Sequence, residues 1–248
     1  ASGGGGPEND AVYVYEWTLG GIPYTLNASS TDTSLQDLGP GTYGVTVTDE
    51  EGCSYSESYL ITEPDDLVII TDSEIDILCF GDLSGSINIT PQGGSGDYTY
   101  FWTYDPDGQG GQQFENIEDI FGLGPGEYVV LVEDSNGCFE SEVFLITQPD
   151  APIDVTETIS EFNGGFNISC FGASDASIDI VASGGGGPEN DAVYTYEWTL
   201  GGDPYTLNTS STDTSLQDLG PGTYGVTVTD EEGCSYSESY LITEPTSL

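Results

Sequence analysis

The side chains able to do chemistry are few in kind. The 248 residues hold 44 Asp and Glu, five Cys and no Lys, Arg or His, a formal net charge of −44. That inventory excludes a Ser-His-Asp triad, a Schiff-base lysine, a P-loop lysine and an arginine clamp on phosphate. Carboxylate chemistry is left: an acid pair of the glycosidase kind, or hard oxygen ligands for calcium, which takes roughly six to eight of them. With 44 carboxylates, two lying near each other says little about catalysis, and the expectation is a chain that is not an enzyme. Phosphate repulsion excludes nucleic acid as a partner, and anionic lipid headgroups likewise. The acidic surface must hold counterions and suits saline or calcium-rich water.

Within the acids, Asp82, Asp97, Asp105 and Asp107 fall in turns, and Asp49, Asp134 and Asp230 sit beside a hairpin turn. Modules stacked end to end would set Asp82, Asp105 and Asp107 of one against Asp230 of the next, a candidate calcium site at the junction. No EF-hand or nonapeptide calcium motif is present, and acidic turns are more often simply solvated. The cysteines are Cys53, Cys79, Cys138, Cys170 and Cys234. No CxxC pair and no His accompany them, which argues against zinc. Sequons occur at Asn27, Asn88, Asn167 and Asn208.

The elements that must position these groups are set by a repeat, which fixes what one structural unit is. LGPGTYGVTVTDEEGCSYSESYLITEP at 38–64 returns as LGPGEYVVLVEDSNGCFESEVFLITQP at 123–149, and again almost unchanged at 219–245. Tyr43, Val45 and Val47 alternate with smaller or polar residues, the period of a strand with one buried face. Asp49 to Gly52 and Asp134 to Gly137 supply a tight turn. A second strand runs through Ser58 to Thr62, and Pro64 ends it.

Residues 1–67 match 182–248 at all but five positions: Val14/Thr195, Ile22/Asp203, Ala28/Thr209, Asp65/Thr246 and Asp66/Ser247. Two unlike modules therefore alternate. The expected division is 1–64, the back part of an incomplete module; 65–149 and 150–245, two complete ones; and 246–248, the start of another. In 150–245, strands are expected at Ile153 to Ile159, Ser177 to Val181, Ala192 to Trp198, Thr223 to Asp230 and Ser237 to Thr243. In 65–149 the first three are Leu67 to Ile77, Ser86 to Thr90 and Tyr98 to Trp102. Residues 1–64 lack the segment equivalent to 150–181, so the chain reads as a window of a longer array, or as one completed by a strand from another copy. Three Trp, sixteen Tyr and nine Phe mark a folded chain despite the charge. No apolar run approaches the roughly 20 residues of a membrane-spanning helix.

About seven short strands per module, with regular turn signals, predict an all-β fold of tandem antiparallel β-sandwiches. Trp17, Trp102 and Trp198 on the third strand, and Tyr43, Tyr128 and Tyr224 after the GPG corner, are similar to the core Trp and tyrosine corner of immunoglobulin-like domains. They are read as core. The usual inter-sheet cysteines are replaced by valines, and the cysteines sit in turns.

The pattern CFG…GSI…GGSGDYTYFW…LGPGEYVVLVEDSNGC…ITQP resembles the SprB repeat of very large surface adhesins in gliding Bacteroidota. The resemblance implies export by the type IX secretion system and display as a long outer-membrane-anchored filament outside the cell. It also implies a part in surface attachment and gliding motility. Neighbouring repeats are then the nearest partners, with surface polysaccharide or a solid substratum beyond. The alternative is a carbohydrate-binding module in which Tyr13, Tyr55, Tyr104 or Tyr236 stacks on sugar rings.

Two cysteine pairings stay open. An immunoglobulin-like path puts the first turn at the end where the chain leaves a module and the last hairpin turn where it enters, which favours Cys79–Cys234 across the junction. Cys53 and Cys138 would then pair upstream, and Cys170 downstream. A different first-strand path gives Cys79–Cys138 and Cys170–Cys234 within modules.

Overall fold

Side chains that alternate between apolar and polar every second residue can bury one face only as extended strands. The computed structural model describes residues 12–25, 30–104, 112–206 and 210–247 and is built from such strands, with a single three-residue 3-10 turn at Gly187–Glu189 among the described residues. The chain divides into two compact units, Ala1–Asp66 and Leu67–Leu248.

The first unit is one antiparallel sheet. Its strands are β1 (Val14–Leu19), β2 (Ile22–Pro23), β3 (Gly41–Thr48) and β4 (Ser54–Ile61), in the order β2-β1-β3-β4.

The second unit holds two sandwiches. The first comprises β5 (Val68–Ile75), β6 (Gly85–Gln92), β7 (Thr99–Tyr104), β8 (Gln112–Glu115), β9 (Ile120–Leu123), β10 (Gly126–Glu133) and β11 (Phe139–Ile146). Sheet β5-β6-β9 packs on sheet β11-β10-β7-β8. The second comprises β12 (Asp154–Ile159), β13 (Ala176–Ser183), β14 (Thr195–Leu200), β15 (Asp203–Pro204), β16 (Ser215–Leu219), β17 (Gly222–Thr229) and β18 (Ser235–Ile242). Here β12-β13-β16 packs on β15-β14-β17-β18. All pairings are antiparallel, as the immunoglobulin-like expectation requires.

Each sandwich is closed by alternating residues from both sheets. Ile87 and Ile89 of β6 meet Trp102 of β7, Val130 of β10 and Phe144 of β11 in one buried cluster. Ile178 and Ile180 of β13 meet Trp198, Val226 and Tyr240 in the other. Each such side chain taken from water contributes about 2 kcal/mol. Trp102 and Trp198 are buried, and each indole N–H donates to a carbonyl fifteen residues on, that of Ile117 at 2.9 Å and Asp213 at 3.0 Å. Trp17 makes the same bond to Asp32 at 3.0 Å but is only half-buried. The tyrosine corner recurs in all three copies. Tyr43, Tyr128 and Tyr224 donate to the carbonyls of Gly39, Gly124 and Gly220 at 3.1, 3.0 and 3.1 Å.

Several strand bounds differ from expectation for local reasons. Strand β4 begins at Ser54, because pairing with β3 runs back to the turn through Thr48 and Ser54. Strand β14 begins at Thr195, since Val193 N–H is diverted to the Glu231 carboxylate. The β5–β6 register shifts between Thr71 and Ser73, bulging Asp72, whose carboxylate accepts from Thr90 Oγ1 at 2.6 Å.

Candidate functional site at the module junction

The site is built from three turns. The first follows β5 and carries Cys79, Phe80 and Gly81. Asp82 N–H donates to the Cys79 carbonyl at 3.1 Å, which closes the turn. The turn is fastened to the far end of its own sandwich. Ile77 N–H donates to Thr147 O at 2.9 Å, Thr147 N–H to Asp76 Oδ1 at 2.6 Å, and Gly81 N–H to Gln148 Oε1 at 3.1 Å. The repeated CFG and ITxP motifs therefore touch, and the first turn lies where the chain leaves the module.

The second sandwich repeats this arrangement. Ile168 N–H donates to Thr243 O at 3.2 Å, and Thr243 N–H to Asn167 Oδ1 at 2.9 Å. Gly172 N–H donates to Glu244 Oε2 at 2.7 Å.

The third turn joins β17 to β18 and is organised by Asp230. Its backbone N–H donates to Cys234 O at 3.0 Å, and its Oδ1 accepts Cys234 N–H at 2.8 Å. Its Oδ2 accepts Gly186 N–H at 2.9 Å from the glycine run after β13. Asp134 does the same in the first sandwich, accepting from Asn136 and Cys138 at 2.9 Å and from Ser95 at 2.9 Å. These bonds, led by that from Ser95 N–H, hold its carboxyl below the usual carboxylate range against the opposing effect of desolvation. The Ser169 hydroxyl and N–H likewise lower Asp175. Asp49 accepts from Glu51 and Cys53 at 3.1 and 2.8 Å.

First turn and last turn meet in a disulfide between Cys79 and Cys234, with Cα atoms 5.5 Å apart across a sequence separation of 155. Of the two pairings open from sequence, this is the one across the junction. On chain-entropy grounds, closing so long a loop contributes about 5 kcal/mol. Cys53, Cys138 and Cys170 are exposed free thiols.

The acidic residues are not gathered into an ion site among the described residues, where no group of three or more His, Cys, Asp or Glu could hold a metal. Asp82 is exposed, and Asp230 is buried with its oxygens turned to backbone N–H groups. Asp105 and Asp107 lie outside the described residues, as do Asn27 and Asn208. Asn88 lies on β6.

The aromatic candidates are scattered in role. Tyr104 stacks on Tyr128 at 4.5 Å and donates to Pro125 O at 3.0 Å, and Tyr236 packs against the second core. Tyr13 is half-buried, and Tyr55 is 68% exposed. The contacts that sequence reading missed are the two that join distant motifs: ITxP to CFG, and the hairpin Asp to the glycine turn. Their recurrence in both modules was the available signal.

Two stretches, residues 75–105 and 167–203, match the SprB repeat. They contain the first turns and third strands just described. No curated protein matches the chain. Among solved structures, the three N-terminal domains of the bacteriophage RB49 Highly Immunogenic Outer Capsid protein (Hoc) align at a TM-score of 0.51 and 15% identity, covering 98% of this chain and 92% of that one. The four N-terminal Ig domains of Dscam1 isoform 9.44 align at a TM-score of 0.32 and 18% identity, covering 94% of this chain and 64% of that one. The similarity to Hoc is one of fold. No helix among the described residues is long and apolar enough to cross a membrane.

Proposed function

We propose that the chain is a non-enzymatic structural segment of a long, secreted cell-surface adhesin filament that serves attachment and gliding. The observation that carries this reading is the disulfide joining the first turn of one sandwich to the last turn of the next. A bond within a module would strengthen a bead. A bond between modules transmits load along the array. The SprB-repeat matches support a cell-surface setting, with type IX secretion, a Bacteroidota source and outer-membrane anchoring as what that setting implies. The net charge of −44 supports a spacer that repels its neighbours, and the absence of Lys and Arg leaves trypsin-like proteases no cleavage site. Neighbouring repeats are its direct partners, and polysaccharide or a solid substratum is met further along the filament.

Single-molecule stretching of the whole chain tests this. While oxidised, complete unfolding should fall short by the span between the two cysteines, 155 residues, or about 540 Å at ~3.5 Å per residue. Reductant or Cys79→Ser should restore the missing length and lower the force at which the second unit yields. Full extension under oxidising conditions, at an unchanged force, would remove the load-bearing role.

A further inference from the structure

The first unit displays a face that its own near-copy hides. Tyr15, Trp17, Val45, Tyr59 and Ile61 correspond to Tyr196, Trp198, Val226, Tyr240 and Ile242, and none of the five differing positions is among them. The latter set lies in one core with Ile153 and Val155, ahead of and on β12, and with Ile178 and Ile180 of β13. There Tyr240 is 5% exposed and Ile242 1%, whereas Tyr59 is 48% exposed and Ile61 36%. Trp17, Val45 and Val47 are half-buried where Trp198, Val226 and Val228 are buried.

A second difference points to the same cause. Ser215–Leu219 is strand β16 because it pairs with β13 through Ala176 with Leu219 and Ile178 with Leu216. The identical five residues at 34–38 form no strand. A segment that is a strand beside a partner and irregular without one reports that partner's absence, not a different preference. Both three-stranded sheets of the second unit are already packed on their own four-stranded sheets. Neither of those sheets is therefore left unpaired to cover the first unit's face.

We propose that this face takes a two-stranded hairpin with the apolar pattern of residues 150–181, its second strand adding beside residues 34–38. The repeat itself names the occupant. Residues 182–248 continue from 181, so Val181 joined to Ala1 recreates the Val181–Ala182 linkage with nearly the same sequence after it. The inference rests on burial and pairing and is independent of what the filament adheres to.

The test is a chain in which residues 150–181 are placed ahead of Ala1. Amide exchange at residues 34–38 and 59–61 should slow at least tenfold. The hairpin given as a free peptide to the parent chain should slow the same amides saturably. A copy carrying Ile178→Asp and Ile180→Asp in the added hairpin should do neither. Unchanged exchange with both forms overturns the proposal. So does a parent chain that sediments as a dimer with these amides already protected, since a second copy would then be the occupant.

Discussion

The two complete sandwiches close their exit ends with the same bonds made by exchanged chemistry. In the first, a carboxylate, Asp76, takes Thr147 N–H and an amide, Gln148, takes Gly81 N–H. In the second, an amide, Asn167, takes Thr243 N–H and a carboxylate, Glu244, takes Gly172 N–H. Each position needs an acceptor oxygen, and either group supplies one. The carboxylate bonds are the shorter, 2.6 and 2.7 Å against 3.1 and 2.9 Å, as charge-assisted bonds are. Of the two acceptor positions, each end fills one with an acid rather than both, which limits repulsion in a chain of net charge −44.

The entry ends differ in how tightly the hairpin Asp is enclosed. At Gly185, with φ +71°, an added Cβ would lie 2.6 Å from Asp230 Oδ2 and 2.7 Å from Ile153 Cγ1. At Gly94, with φ +59°, the three nearest atoms all belong to Asp134, the closest being Oδ2 at 2.7 Å. Gly185→Ala should therefore cost about 3 kcal/mol or more, combining left-handed strain with overpacking. Gly94→Ala should cost about 1–2 kcal/mol, mostly strain. Hydrogen exchange under rising urea, read separately in the two sandwiches, measures both. Equal losses would break the distinction.

Next in size is the exit end. Asp76→Ala strands Thr147 N–H and should cost about 1–3 kcal/mol. The double variant Asp76→Asn with Gln148→Glu rewrites the first exit end in the second's chemistry, and its urea midpoint should stay close to that of the parent. A large loss in the double variant would mean that charge position, not acceptor geometry, is fixed.

The smallest effects are those of pH. Asp134 is held below its ordinary range, so its contribution is present above the unfolded carboxyl value, about 4, and is lost as pH falls through the lower folded value. Asp134→Asn should flatten that acid limb. At the other end of the scale, burial pushes the Tyr128 phenol up to about 12. The unfolded phenol ionises first, near 10, so stability should fall between about 10 and 12, and less steeply in Tyr128→Phe. Denaturation midpoints across each pH range provide the check.

Much of this architecture could be read from spacing. The period of two in Tyr128, Val130 and Val132, the GPG corner and the glycine-containing hairpin turns are local signals, and the strands follow them. The pairing of Cys79 with Cys234 was within reach because topology fixes which turns share an end. The role of Asp230 was not. A carboxylate in a turn looks the same in sequence whether it faces water, calcium or amides, and its partner Gly186 is 44 residues away. The bonds from Gly81 N–H to Gln148 and from Gly172 N–H to Glu244 span 67 and 72 residues and involve ordinary polar side chains. Strands β2 and β15, two residues each, are too short to show a period.

The long span of the disulfide also makes it a test of assembly. Its cysteines can approach to 5.5 Å only when the first turn of one sandwich and the last turn of the next are both in their native places. An oxidant that closes this bond thus records two folding events at once. A chain with either sandwich unfinished keeps these two thiols in addition to Cys53, Cys138 and Cys170, so a thiol count separates it from the finished one.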